Sequence, residues 1–232
     1  MMIRCPIPLV LAFASLVGAC DSDEGATPDS AAVEAAKNAP ASGSATDTAH
    51  PDRNTGGEAD PPKLARRVED PVNPKPGELV RVKEFHENGQ LATERTERVL
   101  EGGQRVRQGA MKAWHENGQL YVDGGYDDDG RLSGRWKYWN DDGELQREGD
   151  YEKGLREGDW IENWPNGRRY SQGFIHVGLL EGPWKYWHDN GQQLAEGEYV
   201  NNLRAGEWLF WLPDGAPDAA QSGTYEKNTK VR

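Results

Sequence analysis

Cysteine is nearly absent from this sequence. The chain has 232 residues and two cysteines, Cys5 and Cys20, which both lie at its N-terminal end. No disulfide can therefore form within the rest of the chain. Small exported domains often rely on disulfides to supplement a limited core. We expect strand pairing and aromatic packing to supply the stability instead.

Apolar residues are also scarce. They make up 35% of the sequence, and the mean hydropathy is −0.89. This composition is poor material for a thick two-layer core. It favours a thin architecture in which each unit buries its surface only against its neighbours.

Positive charge is in deficit. The chain has 27 basic and 39 acidic residues, which gives a formal net charge of −12. A negative surface repels polyanions. We therefore expect no nucleic-acid partner and no general attraction to anionic lipid.

The first twenty residues have the pattern of a secretion signal. Arg4 precedes an apolar run over residues 7–19, which is too short to span a bilayer comfortably. Val17-Gly18-Ala19-Cys20 resembles the lipobox of bacterial lipoproteins, in which the chain is cut before the cysteine and that cysteine is lipid-modified. We predict residues 1–20 to be a lipoprotein signal peptide and Cys20 to be the lipidation site; the alternative is an ordinary signal peptide. Lipidated Cys20 would hold the protein on an inner or outer membrane of the bacterial cell envelope, with the remainder in the periplasm or at the cell surface.

Residues 21–78 contain no aromatic side chain and are rich in Ala, Ser, Thr, Asp, Pro and Gly. Such a segment cannot bury enough apolar surface to offset the entropy lost on ordering. We predict a disordered tether over 21–78, followed by a folded domain over 79–232.

The folded domain is periodic. Every tryptophan lies in it, and Asn-Gly or Asp-Gly turn signals recur at a spacing of 24 or 25 residues over its last five units. The turn glycines are Gly89, Gly118, Gly143, Gly167, Gly191 and Gly215. A second set of turns lies about midway between them. Two turns per period predict an all-β fold: an elongated single-layer antiparallel meander of about six stacked β-hairpin repeats.

The strand register follows from the turns. If Asn190-Gly191 forms a two-residue type I′ loop, Lys185 faces Glu196 and Trp184 faces Gly197. The same construction predicts Lys83–Glu94, Lys112–Asp123, Lys137–Glu148, Met111–Gly124, Trp136–Gly149 and Trp160–Gly173. Recurrence of a cation–acid pair and of a large residue opposite glycine supports this register. We expect each tryptophan to cover the glycine that it faces.

Two aromatic rows are predicted on opposite faces of the sheet. The first row is Trp136, Trp160, Trp184 and Trp208, and the glycine pairing accounts for it as packing. The second row begins with Phe85 and lies three residues later, on the other face by strand alternation. Its tryptophans are the candidate binding residues: Trp114, Trp139, Trp187 and Trp211.

These units resemble a known family. Gly182-Pro183-Trp184-Lys185-Tyr186-Trp187, followed by Asn190-Gly191 and Glu196-Gly197-Glu198-Tyr199, is similar to the bacterial variant of the MORN repeat, some members of which carry an antitoxin-like name. The resemblance covers about residues 80–225. It implies hairpins stacked into a twisted sheet that serves as a scaffold or interaction surface.

The other polar motifs favour structural roles. His86, His115 and His188 precede turns in units too far apart to bind one metal ion, so we interpret them as surface turn residues. Asp127-Asp128-Asp129-Gly130 lacks the first carboxylate of a calcium loop, because Gly125 occupies that place. We predict no metal, no cofactor and no catalytic activity.

Three functions remain open. The leading hypothesis is a lipid-anchored, non-enzymatic scaffold that binds another, unidentified protein. The second is binding of a polysaccharide, such as peptidoglycan, through the second aromatic row. The third is an antitoxin or immunity-type binder.

Overall fold

The computed structural model describes residues 64–232, which form one open sheet of fourteen antiparallel strands. Each strand pairs with its neighbours in sequence. The strands are β1 (Leu64–Asp70), β2 (Leu79–His86), β3 (Leu91–Val99), β4 (Arg105–Trp114), β5 (Leu120–Tyr126), β6 (Gly134–Trp139), β7 (Leu145–Glu152), β8 (Leu155–Asn163), β9 (Arg169–His176), β10 (Leu179–Trp187), β11 (Gln193–Val200), β12 (Leu203–Phe210), β13 (Gly223–Glu226) and β14 (Thr229–Lys230). Within the described range, no helix is long and apolar enough to cross a membrane.

The predicted all-β meander is confirmed. Its six hairpins, here called units 1 to 6, are the successive strand pairs from β2–β3 to β12–β13. Strands β1 and β14 add one further strand at each edge. With strands about 4.8 Å apart, the sheet is roughly 60 Å across.

The predicted tether is wrong over its C-terminal part, because Leu64–Asp70 forms β1. This strand lacks aromatic residues, but Arg67 is held by Glu84 at 3.3 Å and by Glu97 at 3.1 Å. Ionic contacts thus order a segment whose composition suggested disorder. The predicted signal peptide and the tether up to residue 63 lie outside the described residues.

The predicted register is confirmed away from the turns. Trp184 faces Gly197 and Lys185 faces Glu196. All the other predicted pairs also occur: Lys83–Glu94, Lys112–Asp123, Lys137–Glu148, Met111–Gly124, Trp136–Gly149 and Trp160–Gly173.

The predicted two-residue turn is wrong. The amide of Gly191 donates to the carbonyl of His188 at 2.9 Å, and the amide of His188 donates to Gln192 at 2.8 Å. Gly191 has φ 90°, whereas Asn190 is not among the residues with positive φ. The loop therefore has three residues, Asp189-Asn190-Gly191, in which a type I turn ends in a left-handed glycine. It shifts the pairing by one residue, and a bulge at Leu194 shifts it back, so that the outer register is unchanged.

Each tryptophan of the first row covers a glycine of the preceding unit, not of its own hairpin as expected. A Cβ placed on Gly173 would overlap the ring of Trp184. The indole Nε1 of Trp184 donates to the carbonyl of Phe174 at 3.1 Å. The other three pairs are Trp136 over Gly124, Trp160 over Gly149 and Trp208 over Gly197. These rings therefore join one unit to the next.

A bulge between units directs the ring. Between β9 and β10, Glu181 pairs with Phe174, whereas Trp184 pairs with Gly173, so that Gly182 and Pro183 are extra. Gly182 has φ 65°, which is unfavourable for other residues. The glycines two residues before the other tryptophans share this geometry: Gly134, Gly158 and Gly206. The spacing Gly-x-Trp, which recurs in units 3 to 6, thus specifies the junction between units.

We call the side of the sheet that carries the first row the packed face. Trp136, Trp160 and Trp208 are at most 1% exposed, although the sheet has a single layer. Tyrosines of the neighbouring strands meet these rings edge to face, as Tyr199 meets Trp208 with ring centroids 5.0 Å apart. Arginines lie over the aromatic rings, as Arg147 lies 4.2 Å from the centre of the Tyr138 ring. The hydrophobic core therefore consists of side chains that pack against one another on one face of a single sheet.

Unit 1 has a buried ion-pair cluster on the packed face, in which Glu84 lies at the register position of Tyr138 and Tyr186 in later units. Arg95 contacts Glu84 at 2.7 Å and Glu97 at 2.8 Å, and all three side chains are buried. Burial raises the pKa of Glu84, but the hydrogen bonds and charge of Arg95 outweigh it, so the pKa lies below its ordinary value. The cluster therefore stays charged, and it lies at the N-terminal end of the packed face.

The tryptophan–glycine contact predicts a non-additive pair of substitutions. Gly173→Ala should lower the free energy of unfolding by about 1 to 3 kcal/mol, because the new methyl group displaces the indole. Trp184→Ala should lower it by about 3 to 5 kcal/mol. Because the double variant has no ring to displace, its loss should be smaller than the sum by about 1 kcal/mol or more. Urea unfolding of the three variants measures this, and strictly additive losses would contradict the contact.

Candidate interaction surface

The side of the sheet opposite the packed face, here called the charged face, carries a cation–acid pair in four units. Lys137 lies 3.2 Å from Glu148, and Lys185 lies 3.4 Å from Glu196. The equivalent pairs are Lys83–Glu94 and Lys112–Asp123. Exposed pairs of this kind add little to stability, with a median of about 0 to 1 kcal/mol. They make the middle of this face hydrophilic.

The second aromatic row lies beside these ion pairs. Tyr186 stacks with Trp184 on the packed face, so strand alternation places Trp187 on the charged face, next to Lys185. The four candidate binding residues are half-buried, near the Asn-Gly turns: Trp114, Trp139, Trp187 and Trp211. These four tryptophans therefore lie along one margin of the charged face.

The backbone of this row links adjacent units. His188 Nε2 donates to the carbonyl of Trp211 at 2.9 Å, and His115 Nε2 donates to Trp139 at 3.0 Å. His86 donates in the same way to Trp114, and in unit 4 the indole of Trp164 replaces the histidine and donates to Trp187. The interpretation of these histidines as surface residues is wrong for His86, which is buried. Among the described residues, no cluster of three or more His, Cys, Asp or Glu could hold a metal ion.

Asparagine side chains form a second link at the turns. Asn190 Oδ1 accepts from the amide of Gln192 within its own turn, and Asn190 Nδ2 donates to the carbonyl of Pro213 in the next turn. Asn88, Asn117 and Asn166 make the same two bonds. Asp142 in unit 3 makes only the first, because a carboxylate has no donor. The sequence signal Asn-Gly thus specifies contact between turns as well as turn formation.

The acidic loop at Asp127 is neutralised locally. Asp127 accepts hydrogen bonds from the amides of Asp129 and Arg131, and the Arg131 guanidinium lies 3.0 Å from its carboxylate. The backbone hydrogen bond from Arg131 is the largest cause that lowers the pKa of Asp127. This geometry fits an acidic turn stabilised by its own backbone.

Sequence reasoning missed an apolar patch at the other margin of the charged face. We call it the outer patch; it consists of Leu155, Phe174, Val177, Leu179, Val200 and Leu203. Five of the six are between 37% and 52% exposed, and Leu179 is half-buried. The signal was present, because a leucine follows the second turn in three successive units at 24-residue spacing. In unit 3 Arg131 takes that place, so the patch is confined to units 4 to 6.

Acids without an ion pair lie beside the outer patch. Asp159, Glu181 and Glu198 lie on strands β8, β10 and β11 beside it, and Glu207 follows on β12. Within residues 64–232, none of these four carboxylates forms an ion pair, unlike the acids that face lysine nearer the Asn-Gly turns. Glu157 is paired, at 2.9 Å from His176 Nδ1. This margin is therefore both apolar and negatively charged.

Comparison with known proteins supports the repeat assignment. Four segments match the family model described as MORN repeat variant: residues 80–96, 107–128, 132–153 and 180–201. They lie in units 1, 2, 3 and 5. Unit 4 has the same register, whereas unit 6 pairs over three residues of each strand and has a longer connection between its strands. No curated protein matches the chain.

One matching solved structure is titled "Crystal structure of GtfA/B complex bound to UDP and GlcNAc". It is 16% identical, with a TM-score of 0.19. The match covers 48% of this chain and 22% of the other.

The asparagine link predicts opposite effects in two neighbouring units. Asn117→Asp should lower the free energy of unfolding by about 0.5 to 1.5 kcal/mol, because the bond to the carbonyl of Asp141 loses its donor. Asp142→Asn should raise it, since the new amide group can donate to the next turn. Thermal and urea unfolding of both variants test the link, and a shift of the same sign in both would contradict it.

Proposed function

We propose that the protein is a lipid-anchored protein of the bacterial envelope and that its repeat sheet is a non-catalytic scaffold for binding another protein. One observation carries the proposal. The packed face is filled by its own rings, whereas the charged face leaves an aromatic margin and an apolar margin on either side of its ion pairs.

The polar groups that suggested chemistry support a scaffold. Three histidines form hydrogen bonds between units, and the Asp127 carboxylate accepts hydrogen bonds from the backbone of its own loop. Four further carboxylates of the charged face are paired with lysine. The structural roles of these groups account for their positions without a reaction.

The proposed anchor is Cys20, on the strength of the lipobox-like sequence. A flexible linker from residue 21 to residue 63 would have an r.m.s. end-to-end distance of roughly 35 to 40 Å. That reach would let a sheet tied to a membrane meet partners in the surrounding space. The net charge of −12 disfavours nucleic acid and anionic lipid as partners, and the proposed partner is another protein.

Polysaccharide binding is the second candidate, because half-buried tryptophans present ring faces on which sugars can stack. The two candidates differ in a direct measurement. Sugar stacking on Trp187 or Trp211 would change tryptophan fluorescence when soluble peptidoglycan fragments are added, whereas a scaffold for proteins predicts no change.

Partner capture tests the scaffold. The full chain should retain a specific protein from envelope extract, and the variant Trp187→Ala/Trp211→Ala should retain much less of it. These substitutions keep the carbonyls that bond to Trp164 and His188, so the fold should persist. Leu79→Ala is the matched control, because Leu79 is an exposed apolar residue of the charged face in unit 1. Identical partner lists for the double variant and the control would count against the proposal.

Replacement of Cys20 tests the anchor. In cells, Cys20→Ser should move the protein from the membrane fraction to the soluble fraction. Mass spectrometry of the mature N-terminus should show an acylated cysteine in the unsubstituted protein. A mature chain that begins elsewhere, without lipid, would contradict this part of the proposal.

A further inference from the structure

We infer that the outer patch is a docking site for a basic amphipathic helix of a partner protein. The inference deepens the proposed function and rests on it, since it names the partner's recognition element. It concerns the margin of the charged face opposite the candidate tryptophans.

The leucines of the patch form a regular row. Leu155, Leu179 and Leu203 are the first residues of β8, β10 and β12, and each follows the second turn of its period. Leu179 pairs with His176, and Leu203 pairs with Val200, on the charged face. A row with one leucine on every second strand has a spacing of about 10 Å.

This spacing selects the conformation of the partner. A helix rises 1.5 Å per residue, so residues seven apart lie on one side at about 10.5 Å. An extended peptide directs side chains to one side about every 6.7 Å or, at alternate positions, about every 13 Å. Only the helix matches the row when it lies across the strands. Apolar residues at seven-residue intervals then contact the leucines in turn.

The other members of the patch widen the apolar surface. Phe174 and Val200 lie on the strands between the leucines, and Val177 lies in the turn before Leu179. All three are at least 40% exposed. Exposed apolar side chains that are contiguous mark interaction sites, whereas isolated ones are ordinary.

Charge specifies the flanks of the helix. The carboxylates of Asp159, Glu181, Glu198 and Glu207 lie beside the leucine row. Glu181 accepts a hydrogen bond from the backbone amide of Asn201 at 2.9 Å, which leaves its charge without a counterion. No arginine or lysine of residues 64–232 forms an ion pair with them. A helix with lysine or arginine beside its apolar stripe would neutralise these acids, and an anionic membrane would be repelled.

The test uses the full chain and two fluorescently labelled synthetic helices. One carries three leucines at seven-residue intervals with flanking lysines, and the other has the same composition with the leucines four residues apart. Fluorescence anisotropy should give at least tenfold tighter binding for the first. The affinity should fall steeply as salt is added, because exposed charges contribute.

Two leucines of one strand provide matched variants. Leu203 and Leu209 are both 37% exposed on β12, and both lie on the charged face, but Leu209 pairs with Glu196 outside the patch. Leu203→Asp should weaken binding of the first peptide at least tenfold, whereas Leu209→Asp should leave it within twofold. Circular dichroism confirms that both variants are folded.

The outcomes separate this inference from the proposed function. Equal affinity for the two peptides, or equal effects of the two leucine variants, overturns the docking site. If partner capture is then still lost in Trp187→Ala/Trp211→Ala, the scaffold stands and uses the aromatic margin instead. If partner capture is unaffected by all of these variants, both proposals fall.

Discussion

The contact between an indole ring and a bare glycine backbone is the interaction on which the sheet depends. A single-layer sheet has no second layer to cover its apolar face, so each strand pair would be marginal alone. The ring of Trp184 lies flat over Gly173, where any side chain would stand in its place. Tyrosines and arginines then fill the space between successive rings. The side chains of the sheet thus cover its own apolar face, and each of these tryptophan rings contacts a glycine of the preceding unit.

The register within hairpins could be derived from the sequence because residues at equal distances from the turn pair across the two strands. Lys185 opposite Glu196 follows from the turn alone. That arithmetic gave the correct outer register from an incorrect turn, since the bulge at Leu194 cancels the shift of the three-residue loop. Which glycine lies under Trp184 could not be derived in this way. Gly173 and Gly197 both face it, and the choice is made by the bulge at Gly182, whose positive φ is not evident from residue type.

The sequence predicted the aromatic margin of the candidate site but not its apolar margin. Alternation of side chains along the strand placed Trp187 on the charged face, but the exposed leucines were not predicted. Leu155, Leu179 and Leu203 recur as regularly as the tryptophans do. Their exposure depends on strand pairing at the second turns, which carry weaker sequence signals than Asn-Gly. Strand β1 was missed because ionic contacts to Glu84 and Glu97, distant in sequence, order it.

Units 3 to 6 each place a tryptophan on a glycine of the unit before. The bonds of the asparagine and histidine side chains run in one direction along the same series. A gene segment that encodes one such period can therefore be duplicated in tandem, and the copy enters with its ring, glycine and turn already matched to both neighbours. Extra residues are tolerated in a connection between strands, as at Glu101–Gly103 between units 1 and 2, whereas an odd number added within a strand would reverse the faces of its side chains. The fold in this way favours evolution by whole-unit gain or loss, so related chains are expected to differ in unit number more readily than in unit length.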